Sequence, residues 1–511
     1  MGVWSKRTAP ASDFSQWVSL LTCTMPHPDL AISYGLLPQR FFTRLSPTKV
    51  AAPRLIKFNE ELAADLGIDL DGVGAPELAQ IFAGNRLLPG SEPLAMAYAG
   101  HQFGHFVPQL GDGRAITLAE VRDRHGVRRD IQLKGAGRTP YSRGGDGRAA
   151  LGPILREYLV SEAMHAMGVP STRALAAVVT GEPVMRGEPL PGAILTRVAL
   201  GYVRVGTFQF FAATGDIEAV RLLADHVIER HYPDVGQSAD RYLELLRRVV
   251  SAQADLIARW MLIGFVHGVM NTDNMSVAGE TIDFGPCAFL DSYDPMTVFS
   301  SIDQHGRYAF ANQPHAAQWN LARFAETLVP LLDDSAGQAV RLATEAIGSF
   351  SKAFEATWLA GMRLKVGLTS ERAEDGALIR ELLDCIQRGE SDYTLTFRRL
   401  SDSATDDAAV LPLFAEPDAM SRWLDAWRMR LRFEPRPVAE RVAAMRRVNP
   451  AVIPRNHRVE AAIAAAMHDD YGPFETLKDA LSRPYEQRPA DDMYELPPEP
   501  DERVRQTFCG T

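Results

Sequence analysis

Cysteine is scarce: the chain has four in 511 residues, Cys23, Cys287, Cys385 and Cys509, with no Cys-x-x-Cys spacing. That excludes a zinc ribbon or a disulfide-held scaffold and makes a reducing compartment the expected setting. Long apolar runs are missing as well, and none approaches the ~18–20 residues of a membrane span. Met1–Pro10 carries Lys6 and Arg7 without the apolar core of a secretory signal, and Asp13 and later acids weigh against a mitochondrial leader. Cytoplasm is the expected location, with mitochondria considered only for a eukaryotic source. Basic residues are in the minority, 54 Lys and Arg against 64 Asp and Glu, for a formal charge of −10. A general nucleic-acid binder needs a basic face to neutralise phosphates, so neither nucleic acid nor membrane is an expected partner. What is present is a globular composition, 46% hydrophobic and 23% charged, in a chain long enough for two or more domains. Its positive charge gathers between Arg114 and Arg204, which suits a small phosphorylated ligand.

The densest chemical signal is His267-Gly-Val-Met-Asn-Thr-Asp273-Asn274, followed after eight residues by Asp283-Phe284-Gly285. In kinase-like ATP sites an Asp of the H-R-D or H-G-D loop accepts the substrate proton, while an Asn and the D-F-G Asp hold metal ions. Here the base position falls on Val269, whose apolar side chain accepts no proton. Asp273 stands beside Asn274 instead, so either the site is dead or its chemistry is rearranged. Asn274 and Asp283 offer oxygens suited to Mg2+ or Mn2+, which favour one or two protein oxygens plus nucleotide phosphates. His267 is expected to be a structural hydrogen-bonding residue.

Upstream, Gly111-Asp-Gly-Arg114 precedes a predicted strand. Its glycines let backbone approach phosphate oxygens and Arg114 adds a charged fork, although an isolated Gly-Asp-Gly also reads as a hairpin turn. Lys134 ends the strand-like Ile131–Leu133, and Glu157 on the next helix is its expected carboxylate partner. The loop Ser142-Arg-Gly-Gly-Asp146-Gly147-Arg148 reads either as solvated or as an anion-binding nest opposite Lys134. Arg197 and Arg204 lie seven apart in an apolar segment, where arginine needs a buried anion or structural ion pairs.

Residues 1–90 read as an N-terminal extension with a short helix capped by Asn59 and stopped by Gly67. Residues 91–212 read as a strand-rich lobe, with strands near Ala115–Val121, Asp130–Leu133 and Ala193–Val198. One helix interrupts them, entered at Pro153 and ended by Gly168. From 213 to 450 helical periodicity dominates, beginning with the apolar stripe from Tyr242 to Met261 that leads into His267. Further helices are expected at 315–332, 336–364, 377–388 and 418–432. Residues 451–511 read as C-terminal helices, split by the breaker Gly472-Pro473, and then a Pro-rich acidic arm from Arg488 expected to be extended or mobile. The expected class is α+β, a protein-kinase-like fold of a strand-rich N-lobe and a helical C-lobe.

Four segments carry a closer likeness: Tyr98-Ala-Gly-His101-Gln-Phe-Gly-His-Phe106, Gln109-Leu-Gly-Asp-Gly-Arg114, Gln132-Leu-Lys-Gly-Ala-Gly-Arg138-Thr-Pro-Tyr-Ser-Arg143 and the His267–Asn274 loop. From about residue 30 onward the chain resembles the selenoprotein O (SelO) family. The resemblance implies a protein-kinase-like fold, long regarded as a pseudokinase, that transfers AMP from ATP to hydroxyl side chains of proteins. It implies a nucleotide bound inverted, so that the α-phosphate meets the acceptor. By motif, Gly111, Gly113 and Arg114 touch the nucleotide, and Lys134 with Glu157 holds its phosphates. Asp146, Gly147, Arg197 and Arg204 complete the pocket. Asn274 and Asp283 bind Mg2+ or Mn2+, and Asp273 is the proton acceptor. An inverted triphosphate accounts for the demand for arginine and frees the base from the Val269 position.

The resemblance also implies a C-terminal Cys or selenocysteine, matched by Cys509, that pairs in some members with a cysteine after D-F-G. Phe299 occupies that second position here, and Cys287, four residues past Asp283, is a substitute to be weighed. Expected partners are ATP and protein substrates with acceptor hydroxyls, redox proteins among them, and a monomer is expected. Two other readings stand beside this one: UMP transfer from UTP, since no residue is seen to read the base, and a nucleotide-binding scaffold without turnover.

Overall fold

In chain order the strands are β1 (Phe42–Arg44), β2 (Arg54–Phe58), β3 (Leu94–Met96), β4 (Gly100–Gln102), β5 (His105–Val107), β6 (Ala115–Arg122), β7 (Arg128–Lys134), β8 (Ala149–Ala150), β9 (Arg173–Arg186) and β10 (Glu188–Ala199). The computed structural model describes residues 30, 32–68, 72–88, 90–403 and 407–508, so Cys23 and Cys509 lie outside the described residues. It is mixed α/β, an antiparallel sheet joined to many helices. The sheet runs β1-β3-β6-β7-β10-β9-β2, with β8 beside β10, while β4 and β5 form a separate hairpin.

Register in the middle of this sheet sets the chemistry. Lys134 pairs with Ala115 on β6 and Leu195 on β10, and Gln132 pairs with Thr117 and Arg197. Side chains alternate along a strand, so Lys134, Gln132, Thr117 and Arg197 project from one face. The other face carries Ile116, Ile131, Leu133, Ile194 and Val198, which pack with Leu78, Ile81 and Phe82 of the Ala75–Phe82 helix. Against the polar face lies the Leu151–Ala166 helix, where Leu155, Tyr158 and Leu159 pack with Ala193 and Leu195. Its Glu157 is thereby carried to Lys134.

The 23-residue helix Arg241–Ile263 buries Leu245, Leu246, Val249, Val250, Ala254 and Ile257 against Gln313–Leu332 and Ala336–Lys365. Gly264 ends it with φ 75°, a left-handed turn that glycine adopts at little cost. The chain then forms Phe265–Val266, which pairs with Ala288–Phe289, so the His267–Asn274 loop and the Asp283–Gly285 triplet are drawn together. A second apolar core, centred on the stacked Trp423 and Trp427, joins the helices Asp375–Arg388, Tyr393–Asp402 and Pro417–Leu431.

Two features differ from the sequence reading. β1 and β2, inside the segment read as an extension, are the two edge strands of the main sheet. Neither has a pattern of its own, because their partners β3 and β9 lie far along the chain. The tail from Arg488, read as extended or mobile, is held at two places between Arg488 and Phe508. Arg455, 1% exposed, donates to the Glu495 carbonyl at 3.0 and 2.8 Å while pairing with Asp291 and Asp392. Farther on, Thr507 donates its N–H to Phe299 O (2.8 Å) and its hydroxyl to Pro286 O (2.6 Å). Proline and acid content signalled flexibility, but a few backbone hydrogen bonds to a distant loop fasten the segment. Asn59 caps its helix by accepting from Leu62 N, as expected.

Candidate functional site

Five charged side chains from distant segments meet at the polar face of the sheet. Lys134 and Arg197 both donate to Glu157, Lys134 in a very short contact and Arg197 at 3.1 Å. Asp283 lies on the other side of the same cations, accepting from Arg197 at 2.6 Å, Lys134 at 3.4 Å and Arg204 in another very short contact. Arg204 also donates to the Asp273 carbonyl at 2.6 Å. Three cations thus face two carboxylates in a region where Lys134, Arg197 and Arg204 are almost wholly buried. Burial favours the neutral carboxyl, yet Arg204, Arg197 and Lys134 hold Asp283 well below the usual carboxylate range. Its φ of 59° is left-handed, a conformation that costs a non-glycine residue roughly 1–2 kcal/mol. The ion pairs offset that strain.

Aromatic rings and one amide back the arginines. Arg204 lies over Tyr98 and Arg197 over Tyr202, with guanidinium-to-centroid distances of 4.8 and 5.0 Å. Gln132 Oε1 accepts from Arg197 Nε and Nη2 at 3.0 and 2.7 Å, and its Nε2 reaches Thr117 at 3.1 Å and Asp112 at 3.4 Å. Asp112, in the middle of Gly111-Asp-Gly113, also accepts from Met96 N, and burial pushes its carboxyl up to about 6. Asp112, Gln132, Tyr98 and Tyr202 were missed as site residues. Gln132 was within reach of sequence reasoning, since it lies two residues before Lys134 and so on its face. The two tyrosines have no such signal.

The His267–Asn274 loop is organised from within. His267 is buried, stacks on Trp260 and donates Nε2–H to Ile282 O at 2.9 Å, which ties it to the segment before Asp283. Val269 is buried and apolar, away from any proton-transfer role. Asp273 is 8% exposed; its Oδ2 accepts from Gln102 at 3.3 Å, while its Oδ1 has no hydrogen-bond partner among the described residues. Burial raises its carboxyl to about 6, against the lowering influence of Arg204. An unpartnered, weakly acidic carboxylate oxygen beside a cation cluster is chemically a proton acceptor.

This arrangement can be set beside known proteins. The family model described as "Protein adenylyltransferase SelO" matches residues 30–482. The chain belongs to the SelO family. Protein nucleotidyltransferase YdiU of Rhizobium meliloti (strain 1021) is 62% identical over 483 residues, which cover 94% of this chain and 98% of that protein. The proteins of the same name from Rhodopseudomonas palustris (strain BisB5) and Bradyrhizobium sp. (strain BTAi1 / ATCC BAA-1182) are each 61% identical, with the same coverage. As a SelO protein the chain is an enzyme of the protein nucleotidyltransferase class.

The remaining SelO-motif residues fall into two groups. Gly111 and Gly113 lie under the Tyr141 ring and backbone, where an added Cβ would overlap them, and Gly111 has φ 100°. The Arg114 carbonyl accepts from Gly135 N and Ala136 N, which fixes this loop beside the end of β7. Asp112, between the two glycines, meets Gln132 at 3.4 Å, which sets this loop beside the cluster. Asp146 and Gly147 are not brought to Lys134's side chain. Asp146 forms a bidentate pair with Arg186 at 2.9 and 3.0 Å on the exposed rim, and Gly147 packs on Gly137. The loop Arg138–Arg148 instead closes on itself, with Arg138 donating to the Gly144 and Gly145 carbonyls.

The divalent metal that nucleotidyl transfer implies has suitable donors here. Asn274 donates Nδ2 to Val269 O at 3.0 Å, so its Oδ1 is the end available to a cation. With the ionised Asp283 it offers hard oxygens of the kind that Mg2+ and Mn2+ take. Among the described residues no group of three or more His, Cys, Asp or Glu is arranged to hold a metal. The donor set therefore fits a cation shared with nucleotide phosphates better than a site built from protein alone. No helix among the described residues is long and apolar enough to cross a membrane. Cys287 is a buried thiol and Phe299 lies in the second core. The expected pairing partner Cys509 is outside the described residues.

Proposed function

We propose that this chain transfers AMP from ATP to Ser, Thr or Tyr hydroxyls of proteins, releasing pyrophosphate, with the ATP inverted relative to an ordinary kinase. The observation that carries the reading is the Lys134–Arg197–Arg204 cluster, which holds three buried cations against the two carboxylates of Glu157 and Asp283. A net positive, preorganised pocket of this depth suits the β- and γ-phosphates, with the α-phosphate left toward Asp273. In the fold proposed, residues 91–212 and 213–450 correspond to the N- and C-lobes of a kinase-like protein. Residues 1–90 precede them and 451–511 follow as C-terminal helices and tail.

Each residue then has a task. Gly111, Gly113 and Arg114 line the entrance for the nucleotide, and Asp146 and Gly147 complete the pocket from the rim loop whose Tyr141 packs on Gly111. Lys134, positioned by Glu157, and the two arginines neutralise the triphosphate. Asp273 Oδ1 takes the proton of the acceptor hydroxyl as the new O–Pα bond forms. The Pα–O bond to the leaving pyrophosphate breaks, and the charge on that oxygen develops beside the cations. Asn274 and Asp283 would hold Mg2+ or Mn2+, which when bound supplies further charge neutralisation at the phosphates. Proposed partners are ATP and hydroxyl-bearing proteins, redox proteins among them, met by a monomer in the cytoplasm.

The test is a paired labelling assay. Purified chain is incubated with α-labelled or γ-labelled ATP, with Mg2+ and with Mn2+, and with α-labelled UTP in parallel. Protein labelled from the α-phosphate of ATP and not from the γ-phosphate is the expected result. Label from the γ-phosphate makes the chain a conventional kinase, preference for UTP makes it a uridylyltransferase, and ATP binding without label makes it a scaffold.

A further inference from the structure

The hairpin β4–β5 lies directly over Asp273. His101 N donates to Thr272 Oγ1 at 2.7 Å, Phe103 N to Asn271 Oδ1 at 2.9 Å and Gln102 Nε2 to Asp273 Oδ2 at 3.3 Å. Gly100 is packed so closely on the Asp273 carboxylate that a Cβ there would overlap it. The inner edge of the hairpin therefore sets the position of the base, and its outer side is the surface next to the base.

That outer side is built in an unusual way. The His101 ring contacts Phe106 and Trp319, with centroids 5.0 and 5.2 Å apart. Arg307 and Arg323 lie over Trp319 at 4.7 and 5.1 Å. Arg307 also abuts Gly104 at the hairpin tip, where a side chain would meet its guanidinium at 3.5 Å. Phe106 is 41% exposed. Arg323 has an ion-pair partner in Glu326 at 2.6 Å. Arg307 has no carboxylate partner among the described residues. The nearest acid in sequence, Asp303, is spent on the backbone N–H groups of Arg307 and Tyr308 at 2.9 and 2.8 Å. Tyr308 in turn donates to Asn271 Oδ1 at 2.8 Å, so the Arg307 segment, like the hairpin, is anchored to the loop that carries Asp273.

We propose that this aromatic and cationic face is the docking surface for the acceptor protein. The segment it selects has an acidic residue for Arg307 and an apolar or aromatic residue for Phe106 and Trp319, flanking the hydroxyl that receives the nucleotide. Charge complementarity names the occupant: an arginine without a carboxylate, stacked on an indole, is desolvated on one face and binds a carboxylate at the other. Aromatic and arginine side chains are also the residue types on which protein interfaces concentrate their binding energy. The face also adjoins the base: His101, in contact with Phe106 and Trp319, is followed directly by Gln102, whose amide touches Asp273. The inference rests on the transferase reading above.

The test uses defined peptides as acceptors and α-labelled ATP as donor. Each peptide has one Ser, Thr or Tyr, flanked either by Asp, Glu and Leu or by Lys, Arg and Leu. The wild-type chain is expected to prefer the acidic set, and Arg307→Glu to lower that preference at least about fivefold, as exchange of an attraction for a repulsion at a partly exposed site requires. Phe106→Ser is expected to raise the acceptor KM for both sets alike. Nucleotide affinity, measured separately, is expected to stay at the wild-type value in both variants, which also reports that they fold. Equal labelling of the two sets by wild type, or an unchanged preference in Arg307→Glu, overturns the proposal. A change in oligomeric state of Arg307→Glu without a change in peptide choice overturns it too, and assigns the face to a second copy of the chain. Failure of the transferase reading looks different: no acceptor, including the chain itself, then gains α-label.

Discussion

Asp283→Asn isolates the electrostatic core of the site, because it removes one negative charge and leaves the shape unchanged. In the native chain Asp283 neutralises Arg204, Arg197 and Lys134, which are 2, 3 and 9% exposed at the side chain, while itself being 18% exposed. Removal of one member of a buried ion pair costs roughly 3–5 kcal/mol, since the partner is left uncompensated in a poor solvent. Asparagine keeps an oxygen for Arg204 and Glu157 still serves two of the cations, so the low end, about 3 kcal/mol, is expected. Cooperative unfolding of 511 residues has an entropy of roughly 1 kcal/mol/K, which converts that loss to a fall in Tm of about 3 °C. The pH dependence has a definite sign. Because the native pKa of Asp283 is depressed, its contribution is present above the ordinary value of 3.8 and fades only as pH falls toward the native value.

The same substitution makes the pocket more positive, which separates it from simple damage. Without metal, ATP supplies the anion that the variant lacks. Thermal melts in EDTA are therefore expected to show a lower Tm for Asp283→Asn alone and a larger ATP-induced rise than in wild type. Transfer of α-label is expected to be lost. If the variant melts at the wild-type temperature without nucleotide and gains less from ATP, paired charge does not hold the cluster together, and the electrostatic explanation of the site is refuted.

Four further outcomes follow from the geometry. Asp273 is raised to about 6, so transfer is expected to fall about tenfold per pH unit below pH 6, as read from the acid limb of kcat/KM against pH. Asp273→Asn is expected to lose that transfer yet gain stability at pH 8. A carboxyl whose native pKa lies above 3.8 contributes its stability at low pH and loses it as pH rises through about 6, so the gain should vanish by pH 4 in chemical denaturation. Glu157→Gln frees Lys134 and Arg197 from their shared anchor, and is expected to lower kcat by roughly 10²-fold or more, the effect of a misplaced positioning group, with nucleotide binding retained, as seen by single-turnover kinetics and ATP titration. Arg455→Ala removes a buried cation facing Asp291 and Asp392 together with its two bonds to Glu495 O, so limited proteolysis is expected to cut between Arg488 and Phe508 much faster than in wild type.

The sequence was most legible where one segment carries its own signal. The Arg241–Ile263 helix and the Leu151–Ala166 helix declare themselves by apolar periodicity, the second also by Gly168, and both stand within a few residues of expectation. Lys134 with Glu157 was equally readable, because a strand-end lysine and a carboxylate one helix later is a local pattern. β1 and β2 were not, since three and five residues of ordinary composition become strands only through pairing with distant chain. Asp146 lies between two readings, a solvated loop and an anion nest. Its neighbourhood of glycine and arginine suits the nest, but the hairpin joining β9 to β10 brings Arg186 within reach, and the carboxylate is taken by it. Long-range pairing decided both cases.

Under the proposed function, the displacement of the base from position 269 to Asp273 follows from the arginines. A carboxylate at position 269 would sit in the interior, where Val269 is 5% exposed and nearby His267 is fully buried and bonded to Ile282. An ionised group there would need a cation, and the three available are already committed around Asp283. Asp273 lies at the edge of the same cluster, where Arg204 binds its own carbonyl and one carboxylate oxygen is left without a partner among the described residues. In the proposed reaction that position keeps the proton acceptor beside the cations without drawing it into their ion pairs, which would lower its pKa and weaken it as a base. Asp283, tied to three cations, is too acidic to take a proton at neutral pH. The division between one carboxylate held ionised and one left basic is what the proposed transfer calls for, and the two positions cannot be exchanged without exchanging their surroundings.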